Sequence, residues 1–366
     1  MLELWRAGGP NTSASAAVAR AVEAEGWDGQ MFMDSQSLSA DPWVQMGAWA
    51  IATERLKLAT GVTNPFTRHL AVTAASAASV QSISGGRAVL GLGRGDSALA
   101  YLGRAPVRLA AFERALHVLQ ELLRGEEIAF QELAATGDAP SLDTISLAAR
   151  PEGMALRWLP EGLPKVPLDV AATGPKVISM SAPVAERVTF SVGAIPDRID
   201  WALELARAAR ARHGLTDEGI SYGAQVIVVC HTDADAALGV ATEFAAPLAR
   251  FQVLQGDAAG PQAAIDAESF AAIRKSYDMT KHASLTEQKR LVGVTLAPEF
   301  VRRFTIVGPP DQCIERLLDL AHRGLNRFFV VGPGFYPESW GDARSLFARE
   351  VMPALRAALT PTTPIS

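Results

Sequence analysis

The sequence predicts a (β/α)8 TIM barrel with insertions, in the α/β class. Three observations predict it. Apolar, strand-like runs of about five to seven residues alternate with amphipathic helical stretches. Eight such runs can be counted, and polar or Gly-rich tips follow them where one end of a parallel sheet would lie. The chain of 366 residues, 49% of them apolar, is long enough to bury a large core, and its Ala-rich helical stretches with only 4 Tyr argue against an all-β protein.

Leu2 to Arg6 is the first strand, and the helix after it opens near Ser13 or Ser15 and closes at Gly26. Gly29 to Asp34 is the second, with Asp41-Pro42 opening a helix through Thr53. Leu56 to Val62 breaks into a turn at Asn64-Pro65 and leads to a small-residue helix, His69 to Ile83, suited to close packing on a sheet. Arg87 to Gly93 is the fourth strand. Its helix, Leu109 to Leu123, carries Phe112, Leu116, Leu119, Leu122 and Leu123 on one face, and Gly125 ends it. Periodicity then fails from Glu126 to Lys165, which reads as an inserted loop. Pro167 to Ala172, Arg187 to Val192, Gly223 to Cys230 and Arg327 to Val331 complete the eight. Between the last two lie a helix from Asp235 to Leu254, an irregular segment from Gly256 to Ala297 holding Lys275, Tyr277, His282 and the pair Lys289-Arg290, and a helix from Asp311 to His322. The final helix, Pro337 to Leu359, should kink or break at Pro353. One domain is therefore expected over 1–359, with insertions near 126–165 and 256–297 and a tail over 360–366.

Composition excludes several classes. The balance of 34 basic against 39 acidic residues, a net charge of -5, speaks against a nucleic-acid or anionic-membrane surface. Cys230 and Cys313 are the 2 cysteines and form neither a CxxC nor a disulfide framework, so a reducing cytoplasm is expected. The N-terminal residues show no basic leader region or long apolar run, so neither export nor membrane spanning is expected. HExxH, G-x-S-x-G, P-loop and Cys-His ligand spacings are all lacking, and no metal site is expected.

The strand tips carry the candidate chemistry. Thr173-Gly174-Pro175 has the form of a helix start, with Thr173 as cap. It can be an ordinary capped helix or, with Lys176, a phosphate site. Gly91-Leu92-Gly93-Arg94-Gly95 does not open a helix as a dinucleotide fingerprint must. It reads either as a tight turn or as a loop on which a flat ring can rest, with Arg94 as anion partner. Asp34 ends an apolar strand, so it caps a helix, pairs with a cation or faces a solvated pocket. His117, His213 and His322 sit in helical contexts and read as surface or packing residues.

Taken together, Gly61-Val62-Thr63-Asn64-Pro65-Phe66-Thr67-Arg68-His69, Gly86 to Leu99 and Ala171-Ala172-Thr173-Gly174-Pro175-Lys176 resemble the bacterial luciferase-like flavin and deazaflavin oxidoreductases, nearest the methylenetetrahydromethanopterin reductase branch. The resemblance implies a barrel that binds coenzyme F-420, or alternatively FMN, at its C-terminal mouth. It implies hydride transfer to or from a small organic substrate, or oxygen activation as an FMN-dependent monooxygenase. It also implies a non-proline cis peptide behind the cofactor ring, which carries over to Gly61-Val62, and a homodimer. The implied cofactor-binding set is Thr60, Gly61, Val62, Asn64, Arg68, Gly93, Arg94, Gly95, Ala172, Thr173, Gly174, Pro175, Lys176 and Gly193. Asp34, Ser35 and Asp96 are the candidate catalytic residues, able to position or protonate a substrate. Sugar-phosphate and alcohol dehydrogenases of the family carry Asp-His where this chain has Asp34-Ser35. That departure weighs against alcohol oxidation, favours an activated C=C or C=N acceptor, and leaves open a non-catalytic flavin-binding protein.

Overall fold

The computed structural model describes residues 2–13, 15–133, 139–282, 284, 287 and 296–360. Eight parallel strands form the barrel: β1 (Glu3–Gly8), β2 (Gly29–Phe32), β3 (Lys57–Thr60), β4 (Ala88–Leu92), β5 (Leu168–Ala172), β6 (Arg187–Phe190), β7 (Ser221–Cys230) and β8 (Arg327–Val331). Each pairs with its neighbour in chain order, β8 pairs with β1, and the ring closes. All eight fall within a residue or two of the runs read from the sequence. A three-residue strand, Ile306–Gly308, adds to the C-terminal end of β7.

Alternation along the strands sorts the side chains into two cores. Leu4, Phe32, Leu58, Leu90, Val170, Val188, Ala224 and Phe328 face outward beneath α1 (Ala16–Ala24), α2 (Pro42–Ala52), α3 (Leu70–Ser84), α4 (Leu109–Arg124), α5 (Pro175–Ser181) and α6 (Pro196–Arg212). Inside the barrel, Trp5, Met31, Ala59, Val89 and Phe329 form one buried layer. They come from register-paired positions on five strands, with Trp5 opposite Phe329 and Met31 opposite Ala59.

Below that layer, at the N-terminal ends of the strands, the interior is filled by charge. Glu3 pairs with Lys57 and Arg187, each at 2.5 Å, and Asp169 pairs with Arg327 at 3.2 Å. The Thr189 hydroxyl donates to Asp169 Oδ1 at 2.7 Å, and the Arg187 and Arg327 guanidinium groups lie over the Trp5 and Phe329 rings. Burial alone would raise the Glu3 carboxyl. The charges and hydrogen bonds of Arg187 and Lys57 outweigh it and hold its pKa at about 2. This plug seals the bottom and leaves the opposite end for function.

Where the sequence reading and the structure differ, the cause is local. The segment Gly256 to Ala297 contains a helix, α8, between α7 (Ala234–Ala249) and α9 (Pro298–Phe304). This α8 helix (Ala264–Ser276) buries Asp266 and Ser269 along with Phe270 and Ile273, so no apolar stripe marks it. Arg303 clasps the Asp266 carboxylate with two hydrogen bonds, of 3.0 and 2.9 Å. Lys289 and Arg290 lie outside the described residues, as do residues 361–366 of the tail. The helix after β7 stops at Ala249 and tightens into a 3-10 turn, Arg250–Gln252, rather than running to Leu254. The C-terminal stretch is a 3-10 segment (Glu338–Ser345), a π-helical turn (Phe347–Val351) and helix α11 (Met352–Leu359), preceded in the chain by α10 (Pro310–His322). Pro353 sits in the first turn of α11, directly after the π-helical turn, so the chain stays helical through it. Among the described residues no helix is long and apolar enough to cross a membrane.

Candidate active site at the mouth of the barrel

Above the Trp5 layer the inward-facing positions become small. Ala7, Gly61, Gly91, Gly93, Ala171 and Ser191 follow one another around the ring, and Ala7, Gly61, Ala171 and Ser191 are half-buried in the middle of an otherwise closed barrel. Their small side chains put little bulk on the inner wall there, with Gln225 on β7 half-buried beside them, its Oε1 accepting from the Ser191 hydroxyl at 3.0 Å.

The wall between β3 and β4 is the tightest part of that ring. The peptide bond between Gly61 and Val62 is cis. Thr63 N–H donates to Gly91 O and Gly93 N–H donates to Thr63 O, both at 2.9 Å, which ties the two strand tips together. A Cβ on Gly91 would lie 1.9 Å from the carbonyl oxygen of Thr60, and one on Gly93 would lie 2.8 Å from Val62 Cγ2. Thr60 is wholly buried and its hydroxyl is spent on Gly91 O at 2.7 Å, so it builds the wall rather than touching a ligand. Asn64 is likewise buried, its Oδ1 accepting from the N–H groups of Phe66 and Thr67 at 3.0 Å, an Asx turn that fixes the loop. The buried hydroxyl of Thr63 has no hydrogen-bond partner.

Several site candidates prove to be engaged elsewhere. Arg68 is bound by two carboxylates, Asp34 at 2.5 Å and Asp41 at 2.7 Å. Burial would lower its pKa, but hydrogen bonds and charge from Asp34 and then Asp41 raise it instead, so it is a fixed clamp and not a free anion receptor. Asp34 is thereby held beside a permanent cation at the tip of β2, which suits positioning better than proton donation. Asp96 forms an ion pair with Arg250, whose guanidinium also donates to Pro247 O. The Ser35 hydroxyl accepts from the Ser97 hydroxyl at 3.2 Å, joining the tips of β2 and β4.

The tip of β5 departs from the expected helix start. The cap of α5 is Gly174, not Thr173, and it makes no side-chain cap hydrogen bond. A Cβ there would meet nothing within 4 Å, so Gly174 is open rather than crowded. Pro175 follows as the first helical residue, Ala172 faces outward in the buried core, and Lys176 is exposed. Lys176 lines an outer groove of roughly 520 Å³ between α4 and α5, shared with Glu113, His117 and His213, instead of turning to the mouth. Gly193, at a φ of 81°, lies under the Phe304 ring, which a Cβ would approach to 2.5 Å.

Arg94 is different. Its Nε donates to Val107 O at 2.7 Å and its Nη1 to Gln255 Oε1 at 2.9 Å, and no carboxylate among the described residues pairs with it. Burial lowers its pKa, as expected of a cation without a counter-charge. Its partner Gln255 lies between the helix expected over Asp235 to Leu254 and the irregular segment Gly256 to Ala297, which the sequence offers as a lid or an interface, and residues 250–282 span both. That segment is fixed to the β4 tip three times: through Arg94 and Gln255, through Asp96 and Arg250, and through the Tyr101 hydroxyl, which donates to Met279 O at 3.1 Å. The sequence held one hint of it, a lone Arg250 closing an apolar helix.

The closed barrel has counterparts among known proteins. The family model for luciferase-like monooxygenases matches residues 4–327. The chain belongs to that family. Among its relatives is the 5,10-methylenetetrahydromethanopterin reductase of Methanolobus tindarius, 24% identical over 319 residues that cover 86% of this chain and 89% of that protein. The F-420-dependent glucose-6-phosphate dehydrogenase of Microbacterium testaceum is 26% identical over 325 residues, 87% of this chain and 83% of that protein. In structure, the chain superposes with a TM-score of 0.72 on an F-420-dependent secondary alcohol dehydrogenase solved with an F-420-acetone adduct, at 17% identity and over 97% of this chain and 99% of that one. The luciferase-like TIM barrel and the enzymatic, oxidoreductase character of the chain rest on these matches.

Proposed function

We propose that the chain is a deazaflavin-dependent oxidoreductase that moves a hydride between coenzyme F-420 and a small organic substrate at the C-terminal mouth of the barrel. The observation that carries the reading is the ring of small inward residues above the Trp5 layer. Small side chains at that level would let a fused-ring cofactor lie against backbone at the mouth. The two F-420-dependent relatives support the choice of cofactor.

In this reading Gly61, Val62, Gly93 and Gly95 back the ring, Gly174 leaves room beside it, and Arg94 is the cation that meets the anionic tail. The cofactor would supply the hydride. Asp34, fixed by Arg68, and Ser35, bonded to Ser97, would orient the substrate, and with no imidazole after Asp34 an activated C=C or C=N bond is the favoured acceptor.

Titration of the purified protein with oxidised F-420 and with FMN, followed by absorbance and fluorescence, tests the proposal. Micromolar or tighter binding of the deazaflavin, with FMN at least tenfold weaker, is expected. The reverse order would replace the reading with an FMN-dependent monooxygenase, and binding without any reoxidation of reduced cofactor would leave a non-catalytic binding protein. Arg94→Ala should weaken deazaflavin binding about tenfold, the value of one charge-assisted contact of roughly 1.4 kcal/mol.

We also propose a homodimer through α2 and α3. Neither helix contains a charged residue, and together they expose Val44 (75%), Ile51 (79%), Val72 and Ile83 on the outside of the barrel. An apolar face of this kind on two adjacent helices suits a second copy of the same face about a two-fold axis. Ile51→Lys should convert the dimer to a monomer in light scattering at micromolar concentration while leaving cofactor affinity within about twofold, since the helix lies outside the mouth. A monomeric parent chain would refute it.

A further inference from the structure

The segment that follows α7 brings a tyrosine and a histidine to the β4 tip. Tyr277 Oη and His282 Nδ1 are 2.5 Å apart, and both side chains are half-buried. The Tyr277 ring lies 5.3 Å from the Arg250 guanidinium, which also covers the Phe251 ring at 4.4 Å and is paired with Asp96. Polar side chains in neighbouring positions therefore lead from Asp34 and Ser35 beyond the tip of β2, through Ser97 and Asp96 beyond the tip of β4, to Arg250, Tyr277 and His282.

Of the 6 histidines in the chain, His282 is the one bonded to a tyrosine hydroxyl, while His69 and His231 also lie at this end, beyond the tips of β3 and β7. His69 caps α3, its Nδ1 accepting from Ala71 N–H. His117 and His213 line the outer groove, His231 packs on Trp340, and His322 ends α10 at the far end of the barrel.

We propose that Tyr277 and His282 form the proton relay of the active site, with Tyr277 delivering the proton and Arg250 holding the phenol in place. The proposal rests on the hydride-transfer reading above. A hydride supplied by reduced deazaflavin adds to one carbon of an activated C=C or C=N bond, and the π electron pair moves to the far atom. That atom takes the Tyr277 phenolic proton, and the phenolate oxygen takes the Nδ1 proton of His282 as solvent protonates Nε2, so the imidazole stays neutral, ends in its other tautomer and is reset by exchange with water. The substrate gains two electrons and two hydrogens, one as hydride and one ultimately from water.

The groups facing the pair are suited to neutral partners. Burial, then the charge of Arg250, pushes the His282 imidazole down to about 4, so it is uncharged across the physiological range. Burial, with Tyr101 nearby, raises the Tyr277 phenol, while the Arg250 charge works in the opposite direction and would steady a transient phenolate.

Two measurements on the full chain test this. Imidazole 15N spectra of the cofactor-free protein, with His282→Gln to assign the resonance, should show a neutral ring carrying its proton on Nδ1 and titrating near pH 4. A ring protonated on Nε2, or titrating near 6.5, would overturn the relay. Single-turnover reduction of cyclohex-2-enone by the F-420-loaded, reduced enzyme is the second. Tyr277→Phe should bind the deazaflavin within twofold of the parent chain yet reduce the enone about 100-fold more slowly, with His282→Gln similar and the double variant no slower than either single one. An unchanged rate in Tyr277→Phe would remove Tyr277 from the chemistry. Loss of deazaflavin binding by the parent chain itself would sink the function proposed above, and the 15N spectra would still decide the relay. The same spectra decide it alone should the parent chain leave the enone unreduced.

Discussion

Asp169→Ala is expected to lower the unfolding free energy by about 3–5 kcal/mol, the largest effect of any single change outside the apolar core. Arg327 is fully buried inside the barrel, and its charge persists although burial lowers its pKa to about 10. Its remaining contacts, to the Ser221 and Thr189 hydroxyls and Val188 O, are neutral. Removing the carboxylate also strips Arg187 of its second acid, at 3.6 Å, so Arg187 and Lys57 would share Glu3 and Arg327 would keep no paired acid. Urea unfolding followed by circular dichroism measures the loss. Combining Asp169→Ala with Arg327→Met should restore most of the stability, because it removes the unpaired buried guanidinium whose desolvation is the main cost. A single variant within 1 kcal/mol of the parent chain would show that water enters the bottom of the barrel and that the plug is not dry.

The architecture was legible because every strand is a local pattern. Leu4, Phe32, Leu58, Leu90, Val170, Val188, Ala224 and Phe328 must all face the helices, and the alternation that achieves this is written residue by residue in the chain. The site was legible only as far as backbone shape fixed it. Glycines 61, 91 and 93 advertise close approach from the sequence, whereas charge pairing does not. Arg68 looks like a free cation until its acids, 34 and 27 residues earlier in the chain, are brought beside it. Asp96 looks like a free acid until Arg250, 154 residues later, closes on it. The α8 helix escaped notice for the same reason. Its buried face includes Asp266, whose burial is tolerable only because Arg303, 37 residues on, satisfies it. Thr173 was a plausible cap on residue type alone, but the chain places the backbone of Gly174 there.

Gly91→Ala should both destabilise the barrel and weaken cofactor binding, and the two losses share one cause. The new Cβ would lie 1.9 Å from the Thr60 carbonyl oxygen and 3.3 Å from Val62 Cγ1, so the tips of β3 and β4 must separate. Separation strains the hydrogen bonds that Gly91 O accepts from the Thr60 hydroxyl and from Thr63 N–H. Backbone cannot swing aside as a side chain does, so the cost belongs at or above the upper end of the usual overpacking range, about 3 kcal/mol. Because Thr60 leads directly into Gly61-Val62, the same displacement moves the wall against which the ring is proposed to lie, and deazaflavin affinity should fall at least 30-fold. Gly93→Ala meets only the Val62 side chain, at 2.8 Å, and should cost about half as much stability. Gly174→Ala, with nothing within 4 Å and an extended φ of -99°, should leave stability unchanged within about 0.5 kcal/mol. Thermal unfolding and fluorescence titration of the three variants would check the order. Equal effects at 91 and 174 would mean that the β3–β4 wall yields freely and that the mouth owes nothing to its bare backbone.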